Sequence, residues 1–287
     1  MLLQTAANPF VTLLGSPETA ASRLNLSQGF NSLGHTLGPQ FGAFLLLRNI
    51  EGLEGAAVAE AVRQPYLLLA AFLVLLSILF ALVKLPEPAD DQADADPSAG
   101  GSIWKHASFR FGVPAIFLYV GAEVAVGSYL VDYFGTERLG SLPKEQAGYL
   151  ISWYWGSAMV GRFVGAALMQ RIKAQRLLAF NGMMAILLLL VSMNSIGPTA
   201  RIAVLGVGLF NSVMFPSIFS LAVSGLGAQT HRGSVFLIMA IVGGAFWPAL
   251  QGWTADQIGL TLSFIVPAIG YAYIAWYGAR GARHAVA

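Results

Sequence analysis

The stretch Pro65–Val83 reads PYLLLAAFLVLLSILFALV. It carries no charged residue, and only Tyr66 and Ser77 bear a side-chain polar atom. Wound as a helix, a run of this length crosses a hydrocarbon layer of roughly 30 Å and satisfies every backbone polar group within itself. Outward along the chain the same reading applies to Leu177–Met193, Ile202–Leu226 and Leu260–Tyr277. Several such runs in one chain specify an all-α, polytopic transmembrane helical bundle.

The composition agrees. Of 287 residues, 56% are hydrophobic and 10% charged, whereas soluble domains carry about 25% charged residues. The net charge of +2 is dispersed, so no basic run invites nucleic acid. The absence of cysteine removes disulfides, thiolate metal sites and cysteine nucleophiles together. No nucleotide-binding loop, metal-ligand cluster or Ser/His/Asp constellation is present in an ordered setting. The expectation is a protein without a cofactor or metal, and not an enzyme, whose energy source, if it uses one, is an ion gradient.

Spans are expected near 1–14 (partial), 25–47, 65–84, 112–133, 146–170, 177–194, 200–226, 233–254 and 260–278. This gives eight full spans plus one partial. Met1–Gly15 lacks a basic region before its apolar stretch and is interrupted by Asn8-Pro9, so it reads as the end of a helix whose beginning is missing rather than as a signal peptide. Between the third and fourth spans lies Leu85–Arg110, rich in Pro, Gly and Asp. Such a mixture buries too little apolar surface to fold and reads as a linker.

Orientation follows from the basic residues. One set of alternate connections holds Arg23, Lys84, Lys105, Arg110, Arg171, Lys173, Arg176, Arg232, Arg280 and Arg283; the opposite set holds only Arg48, Arg63, Arg138, Lys144 and Arg201. Cytoplasmic loops carry the excess, which places the linker and the C-terminus in the cytoplasm. A weak internal repeat pairs Pro9, Gly15, Thr19 and Arg23 with Pro216, Gly227, Thr230 and Arg232, as two halves of shared ancestry would.

Certain segments carry a family resemblance. Gln4-Thr5-Ala6-Ala7-Asn8-Pro9-Phe10-Val11-Thr12-Leu13-Leu14-Gly15 and Arg23-Leu24-Asn25-Leu26-Ser27-Gln28-Gly29-Phe30-Asn31-Ser32-Leu33-Gly34 are similar to sugar permeases of the major facilitator superfamily, in the fucose and glucose/galactose proton symporter group. So are Tyr119-Val120-Gly121-Ala122-Glu123-Val124, Gly161-Arg162-Phe163, Phe215-Pro216-Ser217-Ile218-Phe219-Ser220 and Met239-Ala240-Ile241-Val242-Gly243-Gly244. The resemblance implies a twelve-helix transporter of the bacterial inner membrane with two six-helix halves and alternating access. Here about the first three and a half helices would be lacking. Residues 1–84 would be the remainder of the first half, 85–110 the cytoplasmic linker, and 111–287 the second half. Gln4 stands where the fucose permease pattern has a glutamate, and Glu123 stands where that pattern has an amide, as in the glucose/galactose branch. A glucose- or galactose-like hexose is therefore the expected substrate, with fucose behind it and the proton as the possible coupling ion. A truncated, inactive remnant and a non-transporting membrane assembly protein are the alternatives.

Sugar hydroxyls both donate and accept, so their site needs amides and carboxylates beside an apolar wall. Gln28 and Asn31 lie three apart and share a helix face; packing between helices would use the same residues. Gln4, Asn8, Asn211 and Gln251 complete the candidate substrate-binding amides. Glu123 lies mid-span, where a carboxylate is costly enough to mark a cavity or a proton relay, and it is the proton-coupling candidate. Arg162, between Gly161 and Gly165, is expected to pair with a carboxylate or a helix end and to pin a gate. Trp153, Trp155 and Trp247 are open between interfacial anchoring and stacking on a sugar ring, while Trp104 and Trp276 read as anchors.

Overall fold

A computed structural model describes residues 2–42, 56–83 and 102–282. Most of the expected linker and residues 43–47 of the second expected span lie outside the described residues, as do the side chains of Gln4 and His35. The helices are α1 (Leu2–Leu13), α2 (Ala20–Gly42), α3 (Ala56–Leu82), α4 (Ala107–Phe134), α5 (Lys144–Leu168), α6 (Ala174–Asn194), α7 (Gly197–Asn211), α8 (Met214–Val223), α9 (Thr230–Met239), α10 (Gly243–Ile258), α11 (Leu260–Ser263) and α12 (Ile265–Trp276). The described parts of the expected spans are predominantly helical, and no strand occurs among the described residues.

Six stretches of the described residues are long and apolar enough to cross a membrane: Glu60–Leu82, Ala107–Phe134, Ala174–Asn194, Gly197–Val223, Gly227–Ile258 and Leu260–Gly281. Helices α2 and α5, of 23 and 25 residues, are long enough to span but are not among these. They carry the polar load, with Ser22, Asn25, Gln28 and Asn31 on α2 and Arg162 on α5. Ser22 and Asn25 of α2 donate to backbone carbonyls of α5, so these two helices meet along a polar seam.

Two element boundaries differ from expectation. Helix α4 begins at Ala107, preceded by a short 3-10 turn over Ile103–Lys105, so the last part of the expected linker is ordered. Its Phe109 ring packs edge-on against Trp104 and Phe236, and that burial supplies what the polar composition upstream lacks. Helix α3 begins at Ala56 and contains Pro65, which puts Arg63 within the helix, ion-paired to Glu60 at 3.2 Å, rather than in a loop.

The chain divides into two compact units, Met1–Gly29 with Pro88–Ala287, and Phe30–Glu87. In the second unit, α3 presents Leu67, Phe72, Leu75 and Phe80 outward, the surface a lipid-facing helix requires. In the first, α4 packs against α8, α10 and α12, α6 against α7 and α12, and α1 against α9. Small residues set these distances: a Cβ on Gly121 would fall 2.3 Å from the Trp247 ring, and one on Gly243 would fall 2.0 Å from the Phe117 carbonyl oxygen. Trp247 is thus buried against α4 as a packing residue, while Trp153 is exposed on α5. Buried tyrosines place their hydroxyls on backbone carbonyls, Tyr133 on Ser192 at 3.1 Å and Tyr277 on Ser108 at 2.9 Å, so the core leaves these donors satisfied.

Helix α1 ends under Arg23. Its guanidinium donates to the carbonyls of Val11 (3.3 Å), Thr12 (2.9 Å) and Ser16 (2.9 Å) and to the Thr19 hydroxyl. A cation on the last carbonyls of a helix also meets the negative end of its dipole. Gly15 makes the turn at φ +92°, a conformation natural to glycine. The repeat partner Arg232 is exposed, so the sequence correspondence between Arg23 and Arg232 does not extend to a matched cap.

Candidate functional site

The site begins with a proline. Pro216 in α8 has no N–H to offer the carbonyl four residues back, that of Ser212, and the helical run is interrupted between Asn211 and Met214. Two carbonyls at this break find donors from other helices. Tyr119 Oη on α4 donates to the Asn211 carbonyl at 3.1 Å, and Arg162 Nε on α5 donates to the Ser212 carbonyl at 3.3 Å. The break in one helix therefore fixes a cation from another in the middle of the bundle.

Arg162 uses a second nitrogen as well. Its Nη1 donates to the carbonyl of Gln28 on α2 at 3.2 Å. The planar guanidinium can serve two acceptors in fixed directions at once, which a lysine ammonium cannot do with the same definition. Gln28 in turn donates through Nε2 to Asn8 Oδ1 on α1, at 3.2 Å. One chain of contacts thus runs from the break between α7 and α8 through α5 and α2 to α1.

These residues border a cavity of about 180 Å³ lined by Gln28, Val120, Glu123, Arg162, Phe215, Pro216 and Ile241. Glu123 and Arg162 are both half-buried and line the same cavity. The chemistry of the lining is an amide, a carboxylate and a guanidinium on one side and Val120, Phe215, Pro216 and Ile241 on the other. It combines hydrogen-bonding groups of both polarities with an apolar wall.

The structure sorts the sequence-predicted residues. It brings Gln28, Glu123 and Arg162 to one cavity. Asn8 is buried behind Gln28 and holds that amide, so it stands one layer away from the cavity rather than on it. Asn31 lies one turn further along α2, in the second unit, with its side chain exposed. Asn211 and Gln251 are corrections to the expected lining. Asn211 is 0% exposed and donates to Tyr154 Oη at 2.8 Å; Gln251 is 0% exposed and faces Ser263 Oγ at 3.4 Å. Both are buried between helices, away from the residues that line the cavity. Arg162 donates to the Ser212 carbonyl at the helix break and shares the cavity lining with Glu123.

Three residues escaped the sequence reading. Phe215 and Pro216 were quoted as a motif but given no role, and Phe215 forms part of the apolar wall in place of the tryptophans. The signal that could have found them is Pro216 inside a run of apolar residues, because a proline there frees a carbonyl that some donor must serve. Asn25, fully buried on α2, donates through Nδ2 to the backbone carbonyl of Arg162 at 2.8 Å.

Comparison with known proteins places the chain. The family model described as Major Facilitator Superfamily matches residues 2–244. A glucose/galactose transporter of Brucella abortus is 49% identical over 98% of this chain and 68% of its own length. A putative glucose/galactose transporter of Helicobacter pylori is 42% identical over 97% of this chain and 70% of its own, and the L-fucose-proton symporter of Escherichia coli is 33% identical over 95% and 67%. A crystal structure of the transporter FucP in the outward conformation matches with a TM-score of 0.87 and 30% identity, over 97% of this chain and 72% of that one. With its membrane-crossing helices and this breadth of match, the chain is a multi-pass protein of the bacterial inner membrane and belongs to the Major Facilitator Superfamily.

Proposed function

We propose that the protein carries a hexose across the membrane by alternating access, with a glucose- or galactose-like sugar as substrate and a proton as the coupled ion. The observation that carries this reading is the cavity shared by Gln28, Glu123 and Arg162, whose polar side and Phe215–Pro216 wall suit the two-faced surface of a pyranose. The relatives with the greater identity are glucose/galactose transporters, and the fucose symporter stands further off.

In this reading Gln28 contacts sugar hydroxyls directly. Asn31, one turn on along α2, presents a second amide at the spacing that serves neighbouring hydroxyls. Glu123 takes up and releases the proton, since a carboxylate within the membrane is retained for such work rather than for stability. Arg162 holds the geometry of the cavity through two backbone carbonyls.

The test is uptake into liposomes reconstituted with the purified chain. Labelled glucose, galactose and fucose are each supplied with and without an imposed inward proton gradient. Glucose or galactose should accumulate only with the gradient, and should exchange without it. Uptake of fucose in preference to both would reverse the substrate assignment; accumulation that follows a sodium gradient and ignores pH would remove the proton.

A further inference from the structure

Two tryptophans stand two residues apart on α5, and the fold separates them. Trp153 shares one helix face with Tyr149, Val160 and Val164, all exposed. Trp155 turns the other way. It lies seven residues before Arg162, so these two share a face, and its ring reaches Gly127 on α4, where a Cβ would fall 3.2 Å from Trp155 Cζ2. Gly127 is itself four residues beyond Glu123, one turn along the same face of α4. The indole therefore belongs to the α4–α5 surface that carries Glu123 and Arg162, one to two turns nearer the connection between these helices.

Its depth argues against an anchor. Helix α5 runs from Lys144 to Leu168, which puts Trp155 at its midpoint, about 17 Å from the first residue. Interfacial tryptophans occupy helix ends, where the ring N–H meets water and headgroups. Trp155 is 44% exposed, so at mid-helix it presents a broad flat apolar surface beside the cavity. The ring is also held in place. Tyr154 is buried and packs edge-on against it, with centroids 5.2 Å apart and planes at 83°. Tyr154 Oη in turn accepts from Asn211 Nδ2 at 2.8 Å. The buried Asn211 thus fixes the tyrosine that buttresses the indole, and Gly127 leaves the room for the ring to lie on α4.

We propose that Trp155 is the surface on which the hexose stacks, and that it sets which hexoses are accepted. The proposal rests on the hexose-transport reading above and adds to it the residue that selects by shape. Glucose and galactose both carry axial C–H bonds at C3 and C5 on one face of the ring, a patch that an indole covers without stranding a hydroxyl. Allose, the C3 epimer of glucose, puts an axial hydroxyl on that face. An indole has no acceptor to offer it, so that hydroxyl loses water and gains no partner. With the sugar laid on Trp155, the hydroxyls at its edge face along the groove toward Glu123 and Arg162, the latter about 10 Å further along α5.

Tryptophan oxidation reads the contact in the unaltered chain. Purified protein is treated with N-bromosuccinimide with and without saturating galactose, and oxidation of each tryptophan is followed by peptide mass spectrometry. Galactose should slow oxidation of Trp155 several-fold and leave Trp153, exposed on the other face, unchanged. Calorimetry then compares variants. Trp155→Ala should weaken glucose and galactose binding roughly two- to tenfold, and Trp155→Phe should restore most of it. The parent should bind allose more weakly than glucose, and that preference should shrink in Trp155→Ala; a tryptophan that merely packs would not move the ratio. If the parent binds glucose and galactose but Trp155 is protected no more than Trp153, the stack alone is overturned. Parent-like affinities and an unchanged allose ratio in folded Trp155→Ala would overturn it equally. A parent that binds none of the three sugars overturns the hexose reading and the stack together.

Discussion

Arg162 and Pro216 meet through a single oxygen. The proline withholds the N–H that the Ser212 carbonyl would use in a continuous helix, and Arg162 Nε supplies a donor at 3.3 Å. The guanidinium is thereby held beside Glu123 in the wall of the cavity. A helix interruption and a membrane-buried cation, each costly alone, offset one another here.

Pro216→Ala tests that relationship. Alanine restores the N–H and relieves the helix, which favours the folded protein by something on the order of 1–3 kcal/mol. The Ser212 carbonyl then has a helical donor and competes less for Arg162. The variant should melt at a higher temperature and transport more slowly. Higher stability with an unchanged transport rate would show that the break serves packing alone.

Gln28→Ala and Asn31→Ala each remove an amide from the face proposed to meet the sugar. Leaving a buried hydroxyl unpaired costs about 1–3 kcal/mol, so hexose affinity should fall roughly five- to 150-fold. Calorimetric titration of detergent-purified protein reads this directly. Parent-like affinity in both variants, with parent-like melting, would return the two amides to helix packing.

Glu123→Gln imitates a permanently protonated carboxyl. Hexose binding and exchange between equal pools should persist, while accumulation driven by a pH gradient should be lost. Counterflow and gradient-driven uptake in the same liposomes separate the two. Gradient-driven accumulation equal to the parent's would move the coupling site elsewhere and leave Glu123 as an orienting residue for Arg162.

Topology can be read with two single substitutions. Ser98→Cys, in the expected cytoplasmic linker, should resist an impermeant maleimide applied to intact cells. Ser141→Cys, in the turn before α5, should react. The reverse pattern would invert the molecule and dismiss the Lys and Arg asymmetry as a guide to it.

The membrane class and the helical spans were legible in the sequence because each depends on local quantities. Pro65–Val83 is a spanning helix wherever it is placed, since hydrocarbon leaves its backbone no other way to satisfy its polar groups. Glu123 and Gln28 were legible for the same reason: a polar side chain in an apolar span stands out one residue at a time. Tertiary structure decided what those side chains face. Asn211 and Gln251 looked equal to Gln28 in sequence, yet both are buried between helices, beside Tyr154 and Ser263 and away from the cavity lining. Asn25, quoted in the sequence without a role, reaches the Arg162 carbonyl because Gly165 lets the backbone of α5 come close. Hydropathy is a sum along the chain, whereas a hydrogen bond needs a partner brought from elsewhere by the fold, and only the packed helices bring it.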